Sequence, residues 1–236
     1  MNNPPRQPIV ILISGRGSNM RALIEHSRSP AAAYSVCSVI ADRADAAGLE
    51  TARGFGVAAR AVTRAKGAES LKGNLHAKDL ERAAHESALA AAVDECSPTL
   101  IALAGFMRVL SGPFVERYAG KILNIHPSLL PKYAGLDTHR RALEAHETEH
   151  GVTVHFVTAQ LDCGPRVIQA KVPVEAGDTE ATLSRRVLAQ EHVIYPMAVD
   201  WFCQGRLRCE GGKAILDGRV LNEPEQLSSI RREETS

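Results

Sequence analysis

The run "IVILIS", residues 9–14, constrains the fold of this chain more than any other feature. It is apolar almost throughout and rich in β-branched side chains, a pattern typical of a strand that is buried on both faces of a parallel sheet. Similar apolar runs recur at residues 34–42 and 99–105, separated by helix-forming sequence. Parallel strands require crossover connections, so this alternation predicts an α/β fold with a mostly parallel, twisted sheet.

The pattern changes at Gly151. "GVTVHFVTA" and "RVIQAKVPV" alternate along the chain, and the connection "QLDCGP" carries turn-forming residues. Alternation with a short connection predicts an antiparallel pair of strands. We therefore expect a hairpin to be added to the parallel sheet in the C-terminal half.

A long helix is predicted to follow the hairpin. Asp178 is a suitable N-cap for a helix that begins near Thr179, and Pro196 is expected to end or kink this helix. Two other segments predict no regular structure. Residues 63–78 have little apolar content and are expected to form a mobile loop, and the polar tail from Glu223 is expected to fray.

Composition limits the location and the partners of the chain. Its 28 basic and 27 acidic residues leave a net charge of +1, which argues against general binding of nucleic acid or membrane surfaces. The N-terminal "MNNPPRQP" is unlike a signal peptide, and no apolar stretch reaches the roughly 18 residues of a membrane span. The five scattered cysteines form no CxxC pair. We therefore expect a cytoplasmic protein with neither a disulfide framework nor a zinc knuckle.

The "GRGSN" turn lies between a predicted buried strand and a predicted helix. Its glycines at 15 and 17 permit close backbone approach, and the N–H groups at a helix start favour an anion. Ser18 and Asn19 add side-chain donors. The third glycine of a dinucleotide fingerprint and the lysine of a P-loop are both missing. A purely structural turn with a Ser/Asn cap therefore remains an alternative.

"LNIHPSLLP", residues 123–131, places two polar side chains on one face of a strand, because Asn124 and His126 are two residues apart. Pro127 cannot continue an interior ladder, so His126 is expected at the strand end. Asp162, in the predicted hairpin turn, could orient the imidazole while the amide stabilises an oxyanion. Structural roles for each residue remain open. His126, His139 and His155 lack the helical i, i+4 spacing of a zinc site, and Ser128 lies in no GxSxG elbow, so neither a zinc site nor a hydrolase triad is favoured.

Four collinear stretches together resemble the folate-dependent phosphoribosylglycinamide formyltransferases, also called glycinamide ribonucleotide transformylases. They are "LISGRGSN", "LAGFMRVLS", "NIHPSLLPKYAG" and "GVTVHFV…LDCGP…QAKVPV". The lack of an internal repeat or a clear linker predicts a single domain with two lobes, residues 1–222, before a polar tail, 223–236. The resemblance implies a Rossmann-like formyltransferase fold for that domain, with a nucleotide-binding lobe, about 9–118, and a folate and catalytic lobe, about 119–222.

The resemblance also implies an activity, the transfer of a formyl group from 10-formyltetrahydrofolate to the amine of glycinamide ribonucleotide, without a metal. Asn124 and protonated His126 would stabilise the tetrahedral oxyanion, and Asp162 would support His126 and assist proton transfer. These groups suit attack by an amine without a covalent nucleophile. The two partners implied are small molecules, and the oligomeric state is left open, a homodimer included.

Binding roles follow from the same resemblance. The substrate phosphate would bind at Gly17, Ser18 and Asn19, and its ribose at Glu191. Glu191 lies on an otherwise apolar helical stripe, so it must find a partner unless it lies at a solvated edge. The remaining members of that stripe are Leu183, Val187, Ile194 and Ala198. The folate would meet two cations and an apolar segment, namely Arg82, Phe106, Met107, Arg108, Val109 and Leu110. Packing in the core is the alternative role for each apolar member.

Two positions depart from the family pattern. Cys163 stands where glycine is expected, which would stiffen the backbone beside Asp162. Asp137 stands where histidine is usual, and we expect it to change local charge without touching the proposed catalytic groups.

Three other functions compete. 10-Formyltetrahydrofolate hydrolase, a deformylase, would carry an N-terminal regulatory domain, for which the residues before Ile9 leave no room. Methionyl-tRNA formyltransferase would carry a tRNA-binding domain and more positive charge. A nucleotide-binding module without catalysis would use the glycine turn alone.

Overall fold

The computed structural model describes residues 5–64 and 75–228. The contacts divide the chain into two compact units, with the boundary between Arg117 and Tyr118. Residues 65–74 of the predicted 63–78 loop lie outside the described residues. The loop prediction is wrong for the end of that segment, because Leu75 already begins a helix.

The first unit contains four strands, all parallel, in the order β4-β1-β2-β3. Helices connect them in the manner that the alternating sequence predicts. The elements are β1 Gln7–Ile13, α1 Ser18–Ser27, β2 Tyr34–Ala41, α2 Ala47–Gly54, β3 Ala58–Ala61, α3 Leu75–Asp94, β4 Leu100–Leu103 and α4 Gly112–Arg117.

The second unit begins with three antiparallel strands, β5-β6-β7, and β11 lies parallel to β7 at the end of this series. A separate antiparallel sheet, β8-β9-β10, follows the last helix. The elements are β5 Ile122–His126, α5 Thr138–Glu144, β6 Glu149–Phe156, β7 Arg166–Pro173, α6 Glu180–Cys203, β8 Leu207–Glu210, β9 Lys213–Leu216, β10 Arg219–Val220 and β11 Glu225–Gln226.

These strands confirm the α/β class. Residues 9–13 of β1 are completely buried, as the continuous apolar run predicts for a strand covered on both faces. The hairpin is also confirmed, since β6 and β7 pair antiparallel across the connection that carries Asp162. Within residues 5–64 and 75–228, no helix combines the length and apolar character needed to cross a membrane.

Helix α6 has a different N-cap from the predicted one and continues past Pro196. Its N-cap is Thr179, whose hydroxyl accepts a hydrogen bond from the Thr182 N–H, rather than Asp178. Pro196 does not end the helix, which continues to Cys203. Proline inside a helix costs roughly 3 kcal/mol. The helix packs against β6 and β7, and its residues around Pro196 are buried, so tertiary packing offsets that cost.

Two further expectations are corrected. Cys37 and Cys96 form a disulfide, although no disulfide is predicted from the scattered cysteines. Cys37 is the extra residue where the β1–β2 register shifts, since Ile9 pairs with Val36 and Val10 with Ser38. The tail is not frayed from Glu223 onward, because β11 pairs with β7. Residues 229–236 of the predicted tail lie outside the described residues.

Candidate active site

Strand β5 places Asn124 and His126 as its alternation predicts. Leu123 and Ile125, which alternate with them, are buried core residues. His126 is itself buried, and Asn124 is half-buried. The strand ends at His126, directly before Pro127. Both polar side chains therefore leave the end of one strand on the same face.

Asn124 is oriented by a residue that the sequence alone does not single out. In the antiparallel pairing of β5 and β6, Asn124 lies opposite His155, and its Nδ2 is 3.1 Å from His155 Nε2. His155 Nδ1 lies 2.9 Å from the carbonyl oxygen of Phe156, which can only accept. Burial lowers the pKa of His155, so its imidazole is neutral. Nδ1 therefore carries the proton, and Nε2 accepts from the Asn124 amide.

Asp162 lies between the two histidines. Its Oδ2 accepts a hydrogen bond from the Gly135 N–H at 2.9 Å and is 3.5 Å from His126 Nδ1. Its Oδ1 is 3.8 Å from His155 Nε2. The Asp162 side chain is only 8% exposed, so this carboxylate is held largely away from solvent. The structure thus brings together the three residues Asn124, His126 and Asp162.

Both nitrogens of His126 face oxygen atoms. Nε2 lies 2.9 Å from the carbonyl oxygen of Tyr133, and Nδ1 faces the Asp162 carboxylate. The ring of His126 is therefore held between two acceptors, one on each side.

The turn that carries Asp162 tolerates cysteine at the next position. Asp162, with φ of 50°, is the left-handed residue of the turn, and aspartate is among the residues that adopt this conformation most readily. Cys163 is exposed. The constraint falls on Gly164, where an added Cβ would lie 1.8 Å from the Phe156 carbonyl oxygen.

The second departure, Asp137, lies at the start of α5. It is left-handed, with φ of 57°, and its carboxylate pairs with Arg140 at 2.6 Å. Its described contacts do not include Asn124, His126 or Asp162.

A second pair of histidines lies in the same unit, with His150 buried and His139 half-buried. His150 Nε2 lies 3.2 Å from His139 Nδ1, and both rings pack edge-on. Burial lowers the pKa of His150 to about 4 and also lowers that of His139, so both are neutral at pH 7. Across the described part of the chain, no group of three or more histidine, cysteine or acidic side chains is arranged to hold a metal ion.

Glu191 is buried, not at a solvated edge. It is 7% exposed, on the face of α6 that also buries Leu183, Val187, Ile194 and Ala198. A buried carboxylate is stable only when it accepts hydrogen bonds, and hydroxyl groups are suitable donors for it.

In the first unit, the glycine turn has the geometry expected of an anion site. Gly17 is the N-cap of α1 with φ of 72°, a left-handed conformation that glycine adopts without strain. Ser18 is exposed as the first helical residue, whereas Asn19 is buried. The backbone at the helix start and the Ser18 hydroxyl are thus available to an anion.

The predicted folate segment divides into two sets of side chains. Phe106 and Leu110 pack in the core, while Met107 and Val109 are 71% and 55% exposed. Arg108 Nε is 2.5 Å from Asp42 Oδ2. On α3, Arg82 Nη2 donates to the Val109 carbonyl oxygen at 2.9 Å, while its Nε donates to Glu86 at 3.2 Å. Arg64, Arg82 and Arg108 line one small cavity with Phe106 and Leu110 as its apolar neighbours.

A half-buried amide, a buried histidine and a shielded carboxylate on an α/β scaffold suit acid–base and oxyanion chemistry at a carbonyl carbon. The chain belongs to the formyl transferase family, whose sequence model matches residues 7–199.

Known proteins similar to this chain agree with that assignment. The phosphoribosylglycinamide formyltransferase of Escherichia coli K12 is 48% identical over 213 residues, covering 90% of this chain and 95% of the relative. The solved structure of the phosphoribosylglycinamide formyltransferase of Coxiella burnetii is 43% identical with a TM-score of 0.83, covering 94% of this chain and 99% of that one. A formyltetrahydrofolate deformylase from Pseudomonas syringae is 20% identical with a TM-score of 0.76, covering 90% of this chain and 66% of that one. This last likeness shows the fold alone.

Proposed function

We propose that this chain transfers the formyl group of 10-formyltetrahydrofolate to the amine of glycinamide ribonucleotide, a step of de novo purine biosynthesis. The observation that carries the proposal is the cluster of Asn124, His126, His155 and Asp162 in a chain of the formyl transferase family. Identity to named phosphoribosylglycinamide formyltransferases along most of both chains supports the choice of amine.

The cluster suits direct attack of the amine on the formyl carbon. Attack forms a C–N bond and places a negative charge on the formyl oxygen. Asn124, whose amide His155 orients, donates its second Nδ2 hydrogen to that oxygen, and the His126 imidazolium neutralises it. Preorganised donors in a site shielded from water stabilise this charge more than water does.

Asp162 has two tasks in this proposal. Its carboxylate faces His126 Nδ1 at 3.5 Å and would orient that ring and offset a positive charge on it. It also accepts the proton that the attacking amine loses, which passes through water to N10 of the folate. Cleavage of the bond between the formyl carbon and N10 then releases formylated glycinamide ribonucleotide and tetrahydrofolate.

Each substrate has candidate anchors. In the first unit, the α1 start at Gly17, Ser18 and Asn19 would bind the phosphate of the ribonucleotide. In the second, buried Glu191 would accept hydrogen bonds from ribose hydroxyls.

The folate would meet the exposed side chains of Met107 and Val109 and the guanidinium groups of Arg82 and Arg108. Phe106 and Leu110, which are buried, would anchor this segment in the core rather than contact the ligand. The proposal places the reaction in the cytoplasm, with two small-molecule substrates and without a metal, a nucleic acid or a membrane as partner.

The decisive experiment supplies 10-formyltetrahydrofolate with glycinamide ribonucleotide, with initiator methionyl-tRNA, or with water alone. We expect rapid release of tetrahydrofolate only with glycinamide ribonucleotide, at a rate that EDTA leaves unchanged. Release at the same rate in water would replace the transferase with a deformylase. Formylation of the tRNA at a similar rate would instead identify the chain as a methionyl-tRNA formyltransferase.

A further inference from the structure

Asp42 holds Arg108 from a buried position. It directly follows β2, at the carboxyl end of the parallel strands, and its side chain is 5% exposed. Oδ2 accepts from Arg108 Nε at 2.5 Å, while the buried Oδ1 has no hydrogen-bond partner among the described residues. A buried carboxylate with one unsatisfied oxygen costs free energy. The pair is therefore poorly explained as a device for stability alone.

The pairing leaves the other end of the guanidinium available. Arg108 engages Asp42 through Nε, and the described residues make no hydrogen bond with its Nη1 or Nη2. The Arg108 side chain remains 30% exposed. A guanidinium fixed through Nε presents its Nη groups as a fork, the geometry that binds a carboxylate through two parallel hydrogen bonds.

Neighbouring contacts restrict where that fork points. Arg82 donates to the carbonyl oxygen of Val109, the residue after Arg108, and the Met107 N–H donates to Ser14 Oγ at 2.8 Å. The backbone on both sides of Arg108 is thus tied to other elements of the unit. Arg108 lines one small cavity with Arg64 and Arg82. Glu86, in the same lining, pairs with Arg82 at 3.2 Å, so the cations still outnumber the carboxylates there and favour an anionic ligand.

We propose that Asp42 is a positioning residue for the carboxylate-bearing end of the folate donor, because it orients the Arg108 fork toward the glutamate of that donor. This inference rests on the proposed function. Asp42 does not touch the ligand and takes no part in formyl transfer. It converts a flexible arginine into a fixed one, which lowers the entropy lost when the carboxylate binds.

The test compares two formyl donors, 10-formyltetrahydrofolate and 10-formyltetrahydropteroate, which lacks the glutamate. We expect Asp42→Ala to raise the KM of the glutamate-bearing donor roughly tenfold, the equivalent of one charge-assisted hydrogen bond. The variant's kcat with either donor, and its KM for the truncated donor, should stay near the values of the wild-type protein. Asp42→Asn, which keeps an acceptor oxygen and the same size, should recover most of the loss.

Asp45→Ala is the matched control, because Asp45 makes an exposed pair with Arg43 in the same loop and should leave both KM values unchanged. Equal changes in KM for both donors would assign Asp42 a merely structural role. A lower KM in Asp42→Asn would show that Asp42 competes with the ligand for Arg108, and it would also overturn the inference. If Asp42→Ala does not fold, Asp42→Ser, whose shorter side chain keeps a polar group but withdraws it from Arg108 Nε, replaces it with the same two donors and the same expected rise in KM.

Failure of this inference is distinguishable from failure of the proposed function. A wild-type protein that transfers no formyl group to glycinamide ribonucleotide from either donor would refute the proposed function. Normal transfer with no selective effect of Asp42 would refute only the positioning role.

Discussion

Ser18, in the unit up to Arg117, is exposed at a helix start, whereas His126, in the unit from Tyr118 onward, is buried. In the proposed function, the first unit binds through backbone N–H groups and partly exposed arginines. The second relies on largely buried side chains that contact one another at Asn124, His155 and Asp162. We expect the first arrangement to tolerate the loss of one side chain, because the backbone remains. We expect the second to be more sensitive, since its side chains orient one another.

The largest loss of activity is expected for His126→Ala, in the second unit. This variant should lower kcat roughly 10²–10⁴-fold, as for a lost acid catalyst, and Asn124→Ala should lower it about 10²–10³-fold, as for a lost oxyanion donor. Steady-state kinetics with both substrates measures these losses. His146→Asn is the control, since His146 is exposed and left-handed and asparagine adopts that conformation readily. Wild-type rates in either active-site variant would refute the mechanism.

A smaller effect is expected when the disulfide is removed, and it should be a loss of stability that originates in the first unit. The Cys37–Cys96 bond spans 59 residues, so Cys37→Ser with Cys96→Ser should lower the free energy of unfolding by about 2–4 kcal/mol under oxidising conditions. Denaturant unfolding with and without a dithiol reductant measures this. In reductant, the variant and the wild type should coincide.

Cys209→Ser, in the second unit, is the control for that experiment, because Cys209 is a free cysteine. It should match the wild type under both conditions. A double-serine variant as stable as the oxidised wild type would contradict the cross-link.

The smallest effect is expected for Ser18→Ala. The helix start keeps its N–H groups, so the KM for the phosphorylated substrate should rise only about two- to tenfold, with kcat nearly unchanged. Initial rates at varied concentrations of each substrate resolve this. Ser35→Ala, at an exposed position on β2, serves as the comparison. If only the KM of the folate donor changed, the assignment of phosphate binding to the glycine turn would be refuted.

Local patterns in the sequence predict the parts of the site that a single element determines. The common face of Asn124 and His126 follows from the period of two along a strand. The partner of Asn124 does not, because His155 comes opposite it only through the register of β5 and β6. Likewise Cys37 and Cys96 meet only in the folded unit, since nothing local marks two cysteines so far apart as partners.

Tertiary packing also overrides two local rules. Pro196 lies inside α6 because the surrounding residues are buried against β6 and β7. The apolar segment at residues 106–110 is not uniformly core, because Met107 and Val109 face outward while Phe106 and Leu110 face inward. Hydrophobicity alone cannot separate these two sets, since only the course of the loop after β4 decides which side chains are covered.

The close approach of Gly164 to the Phe156 carbonyl oxygen has a consequence for how this chain can vary over evolution. Cys163 can be exchanged for other residues, because its side chain is exposed and its backbone is not left-handed. Any residue larger than glycine at 164 would push the turn away from β6 and carry Asp162 with it. We therefore expect natural homologues to drift at position 163 and to keep glycine at position 164.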